Sequence, residues 1–160
     1  VALKHRGDHF FADAQKLNKT LLLAKAIFVT TNFVLDEAYT VLRGRAGHHV
    51  AVEFGEEIRI SQVTSIVHIS PELEAEAWEM FKKYNRKLNW SFTDCTSFVV
   101  MKRLRITEAF TNDHHFQQAG FILHHDLHVL GSDPVSKIYR FFYTLNQYYT
   151  PFFQGFFNNI

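Results

Sequence analysis

The chain has 160 residues, 47% of them hydrophobic and 21% charged, with 7 Gly, 3 Pro and a formal net charge of +1. These figures suit one domain with a real core and exclude a disordered chain, a collagen-like repeat and a disulfide scaffold. The balanced charge points to no particular partner, and a single cysteine, Cys95, forms no internal disulfide, which fits a reducing cytoplasm.

Taken in chain order, Asp8 is a cap for a helix running to about Ala24, followed by the β-rich run IFVTT at residues 27–31. The apolar run LLLAKAIFV is broken by Lys25 and is too short to span a bilayer, and no basic-then-apolar leader opens the chain. Thr31 or Asn32 caps the helix FVLDEAYTVLRGR, which Gly44 and Gly47 punctuate; HHVAVEFGEEIR reads as a further helix despite Gly55. SIVHI, residues 65–69, is a strand. Ser70 then caps PELEAEAWEMFKKYNR, with Pro71 in its first position and Glu72, Glu74 and Glu76 near its positive end. SFTDCTSFVVMKRL is a helix, EAFT (108–111) a strand, DHHFQQAG a short helix closed by Gly120, and FILHH the last strand. Short strands alternating with amphipathic helices give an α/β domain with a mostly parallel sheet.

The end of the chain differs in kind. Residues 131–160 hold 10 aromatic residues and only three charged ones, Asp133, Lys137 and Arg140, without helical or strand periodicity. The division expected is a domain over 1–130 and an aromatic-rich tail over 131–160, packed loosely on the domain or not at all.

Most acids read as solvated helix faces, among them Glu53, Glu56 and Glu57. Three do not. Glu37 has Phe33, Val34, Thr40 and Val41 at three and four residues, so it points along an apolar stripe, where a carboxylate is costly unless a cation or several donors meet it. Asp94 lies in the first turn of an apolar helix and reads equally as a helix cap and as a site residue. Asp113 follows a strand and precedes a helix. It reads equally as an N-cap and as a residue of the crevice beyond the strand ends, where parallel sheets bind ligands. Three such acids at one end of a sheet suggest an oxygen-ligand site for magnesium or manganese. Such a site suits phosphodiester hydrolysis.

TTNFVLDEAYTVL, SFTDCTSFVVMKRL and EAFTNDHHFQQAGF, with VHISPELEAEAWEMFKKY between the first two, resemble a PIN domain, and in particular VapC-like toxins of bacterial toxin–antitoxin pairs. The resemblance covers roughly residues 1–123. It implies a three-layer α/β/α sandwich around a parallel sheet, and a ribonuclease whose acidic cluster holds Mg2+ or Mn2+. Matched by motif, that cluster contains Glu37, Asp94 and Asp113, with the Thr111 hydroxyl in support. A first strand ending in a further Asp would lie ahead of Val1, and as that strand is central in the family's sheet, its loss would expose neighbouring edges and remove core contacts, which favours aggregation. The resemblance further implies RNA as substrate, an antitoxin protein as partner and a homodimer. The rival reading is a catalytically inactive fragment that binds a protein partner through exposed apolar surface.

Other residues carry less. Adjacent histidines such as His48/His49, His114/His115 and His124/His125 diverge on a helix or alternate on a strand, so a pair rarely serves one zinc; His114 and His115 read as polar residues near the site mouth. Cys95 reads as a small apolar helix residue. Among the basic clusters, Arg43 and Arg45 follow the helix that carries Glu37 and are candidates to contact RNA phosphates.

Overall fold

Among the described residues, five short strands pair in parallel into one sheet, with helices against both faces. In this computed structural model the residues described are 27–111, 113–124 and 139–142. The helix expected between Asp8 and Ala24 and most of the segment 131–160 lie outside them. The elements are β1 (Ile27–Thr31), α1 (Asn32–Ala46), α2 (His48–Ile60), β2 (Thr64–Val67), α3 (Pro71–Leu88), α4 (Phe92–Arg103), β3 (Glu108–Phe110), α5 (His114–Gln118), β4 (Ile122–His124) and β5 (Tyr139–Phe142).

The strand order is β2-β1-β5-β3-β4. All four pairings are parallel, with Phe28 opposite Thr64 and Arg140, Ala109 opposite Phe141 and Leu123. Two sequence expectations are corrected here. FILHH supplies an edge strand, not the last one. Residues 139–142, assigned to a loosely packed tail, form β5 in the middle of the sheet. The reason is local: YRFF is a run of aromatic residues with strand propensity, but four residues are too few to register as a period in so aromatic a background. β5 gives β1 and β3 each a second neighbour.

Alternation along the strands divides the core into two layers. Phe28 joins Leu35, Ala38 and Leu42 of α1 and Phe54 and Ile58 of α2 on one face. Val29 and Ala109 join Phe98 and Met101 of α4 and Phe116 of α5 on the other. The result is the expected α/β/α sandwich.

The helix starts are set as the sequence indicates. The Thr31 hydroxyl accepts from the Val34 N–H at 3.1 Å to cap α1. Ser70 caps α3 through the Leu73 N–H, with Pro71 in the first turn. Gly47, at φ 99°, ends α1 in a conformation that disfavours a side chain, and its N–H closes back on the Leu42 carbonyl. Gly55 does not break α2. A Cβ there would stand 3.3 Å from the Tyr39 ring and 2.9 Å from the Arg59 guanidinium, so the glycine permits close packing of α2 on α1.

Candidate active site

The strand C-termini bring the three singled-out acids to one place. β1 ends at Thr31, whose side chain starts α1, and Glu37 follows one and a half turns on. β3 ends at Phe110, and Thr111 and Asp113 follow. Asp94 stands in the first turn of α4. An open cleft of about 490 Å³ is lined by Asp36, Glu37, Thr40, Asn89, Ser91, Asp94, Asp113 and His115, with Val41 beside them.

Each carboxylate is fixed by its own local structure. Asp94 completes a capping box with Ser91: its Oδ2 accepts from the Ser91 N–H at 2.7 Å, and its N–H donates to Ser91 Oγ at 3.0 Å. It is 2% exposed. Asp113 caps the short α5, its Oδ1 accepting from the His115 N–H at 2.9 Å. The Asp113 N–H in turn donates to Thr111 Oγ1 at 3.0 Å, and Thr111 is buried. Asp94 and Asp113 both take part in helix capping, and both line the cleft. Glu37 is half-buried on the face of α1 that borders it.

A fourth side chain stands between two of the acids. His115 Nδ1 lies 3.3 Å from Asp94 Oδ2 and 3.2 Å from Asp113 Oδ1. Asp113, His114 and His115 bring one ligand atom each within 4.8 Å of one another, although the His114 side chain is 69% exposed. The two rings stay adjacent, with centroids 4.4 Å apart, but differ in exposure: His115 lines the cleft and His114 stays at its rim.

The framework behind these side chains is aromatic. Phe98 of α4 packs edge-on against Phe116 of α5 and Trp90, at centroid distances of 4.9 and 5.0 Å. Trp90 Nε1 also donates to Gln118 Oε1 at 3.3 Å. These contacts tie α4 to α5, and with them Asp94 and Asp113 to one cleft. On the other flank the Asn32 side-chain Oδ1 accepts from the Ile69 N–H at 2.8 Å, pinning the start of α1 to the chain just after β2.

Arg43 and Arg45 are exposed in the last turn of α1 and do not line the cleft. Cys95 is fully buried, and burial first, then the neighbouring Asp94, pushes its thiol up to about 11, so it is no thiolate near neutral pH. The residues that sequence reasoning passed over are Asp36, Asn89 and Ser91. Ser91 had a signal, the S-x-x-D capping spacing before an apolar run. Asn89 had none: it adopts the left-handed conformation, φ 51°, at the end of α3, and only the return of the chain brings it to the cleft.

A parallel α/β/α sandwich with acids gathered beyond its strand ends defines a class, and sequence comparison names it: the chain belongs to the PIN domain family, whose profile matches residues 1–122. Among curated relatives, the 23S rRNA-specific endonuclease VapC20 of Mycobacterium tuberculosis, from two strains, is 36% identical over 122 residues, covering 76% of this chain and 89% of the relative. The crystal structure of VapC20 from the same organism, described as a sarcin-ricin loop cleaving toxin, superposes with a TM-score of 0.60 at 35% identity, covering 72% of this chain and 85% of that one. The chain is a homologue of a ribonuclease toxin.

Proposed function

We propose that this protein is a divalent-cation-dependent endoribonuclease, the toxin of a toxin–antitoxin pair, with Glu37, Asp94 and Asp113 as its catalytic carboxylates. The observation that carries the reading is the meeting of these three acids, from α1, α4 and the β3–α5 junction, in one cleft. The donor set supports a cation there. It is rich in carboxylate oxygen, which suits Mg2+ or Mn2+, and the shielded His115 Nδ1 makes no hydrogen bond among the described residues while facing two carboxylates.

When bound, such a cation would supply charge neutralisation at a phosphodiester and a lowered pKa for an attacking water. The chain's own part is to hold the ligands. Ser91 orients Asp94, and the Thr111 hydroxyl orients the backbone of Asp113. Neither carboxylate needs to reorganise when charge builds up opposite it. Arg43 and Arg45 lie six and eight residues beyond Glu37, about 9–12 Å along the helix axis, a span that suits contact with phosphates flanking the scissile one.

By its relative's specificity, 23S rRNA is the first substrate to test. The same reading includes an antitoxin protein as partner and a homodimer. An RNA target and a buried, unpaired cysteine suit the cytoplasm; among the described residues no helix is long and apolar enough to cross a membrane. The test is RNA cleavage by the full chain with Mg2+, with Mn2+ and with a chelator. Cleavage is expected with either ion. Equal cleavage in chelator would remove the cation from the reading.

A further inference from the structure

We infer that His115 is a metal ligand through Nδ1, adding a nitrogen donor to the carboxylates of Asp94 and Asp113 and biasing this site toward Mn2+ over Mg2+. The inference rests on the proposed metal-nuclease reading and deepens it.

The distances come first. Around a six-coordinate cation with bonds of about 2.1 Å, neighbouring donors at right angles are about 3.0 Å apart. His115 Nδ1 stands 3.3 Å from Asp94 Oδ2 and 3.2 Å from Asp113 Oδ1. Both separations lie close to the edge of one coordination octahedron.

The second observation is the state of that nitrogen. Nδ1 is shielded from solvent and makes no hydrogen bond among the described residues, although two carboxylate oxygens lie within 3.3 Å of it. A buried polar atom normally has a partner. With the ring proton on Nε2, the Nδ1 lone pair faces two anionic oxygens and is repelled by both. A dication between the three atoms turns those repulsions into three bonds.

The third is how firmly the imidazole is held. The His115 side chain is 20% exposed, and its own N–H donates to Asp113 Oδ1. The next residue, Phe116, is fully buried against Phe98. The backbone that carries the imidazole is therefore anchored at the cleft wall. A cation entering between Asp94 and Asp113 meets Nδ1 in place.

The consequence is selectivity. Carboxylate and water suit Mg2+ and Mn2+ alike, whereas imidazole is a ligand of first-row transition ions; of the two, only Mn2+ is such an ion. An imidazole in the set should therefore favour Mn2+.

The experiment is pulsed EPR on the full chain loaded with Mn2+, with titration calorimetry of Mn2+ and Mg2+ alongside. A 14N hyperfine coupling from a directly bound imidazole is expected, replaced by a 15N coupling when the histidines carry 15N. His115→Ala should abolish the coupling. It should weaken Mn2+ binding by about tenfold or more, the scale on which even the outer partners of metal ligands act. Mg2+ binding should change much less. His114→Ala, at the exposed rim, should keep the coupling. Ion binding without nitrogen coupling in the unsubstituted protein would overturn the inference and leave the nuclease reading standing. Equal loss of both ions in His115→Ala would also overturn it, making His115 a positioning residue. Failure of the unsubstituted protein to bind either ion would overturn the metal-nuclease reading itself, and the ligand with it.

Discussion

Asp94 carries two duties in one carboxylate. Its Oδ2 closes the capping box with Ser91 and also faces the cleft. Asp94→Asn separates the two. The amide oxygen can still accept from the Ser91 N–H, so the start of α4 survives, but a neutral amide is a poor ligand for a hard dication. RNA cleavage should fall by orders of magnitude while the melting temperature changes little. Glu53→Gln, on an exposed turn of α2, is the control and should cleave like the parent. An Asp94→Asn protein with full activity would falsify the assignment of this carboxylate. A second residue gives a pH test. Burial first, then the Glu53 charge four residues before it, raise the pKa of Glu57 above its ordinary value. The folded state thus binds that proton more tightly than the unfolded chain. The resulting stability is fully present below the unfolded pKa and is lost as pH rises through the folded one. Glu57→Gln removes the ionised carboxylate. It should raise the melting temperature at pH 7 relative to the parent and bring the two together near pH 3, as thermal scans at both pH values would show.

At the scale of elements, the site is as good as the contact between α4 and α5. α5 is a five-residue helix and has little stability of its own. It is held by Phe116, which sits under Phe98, while Phe98 also meets Phe121 at 5.6 Å. Phe98→Ala should cost about 3–5 kcal/mol, the range for large-to-small changes in a well-packed core. Denaturant titration would measure it. The same change should weaken Mn2+ binding even where the protein remains folded, because Asp113 and His115 ride on α5. Much of this arrangement was legible in the sequence. The caps at Thr31, Ser70 and Asp113 are short-range hydrogen bonds that local residue order specifies. Asn89 and Asp36 were not legible as site residues, because their place in the cleft depends on how α3 and α1 come to lie beside α4.

At the scale of the molecule, the sheet depends on β5. β5 pairs with β1 on one side and β3 on the other, so the two halves of the sheet meet through it. A proline within β5 removes an N–H from the ladder and fits badly between two neighbours. Phe141→Pro should destabilise the fold by about 3 kcal/mol or more and loosen β1 and β3 together. Hydrogen exchange checks both points: amides at 140–142 should be protected in the parent, and protection of β1 and β3 should fall together in the variant. Rapid exchange across 139–142 in the parent would restore the view of this segment as a loose tail.

What the sequence alone determined is what depends on near neighbours and on motif. Helix caps, the alternation of short strands with amphipathic helices, the three acids and the family resemblance all act within a few residues or at fixed intervals. The tertiary structure decided three things that no local pattern encodes. It put Tyr139–Phe142 at the centre of the sheet, since a central strand is chosen by which backbone groups lack partners on both neighbours. It turned His115 inward and left His114 outside, since one residue of rotation on a short helix matters only once Phe116 is anchored. And it brought Asp94 and Asp113, 19 residues apart in the chain, to one cleft, because α4 and α5 meet through the packing of Phe98 on Phe116, and such packing arises only when the two helices come together.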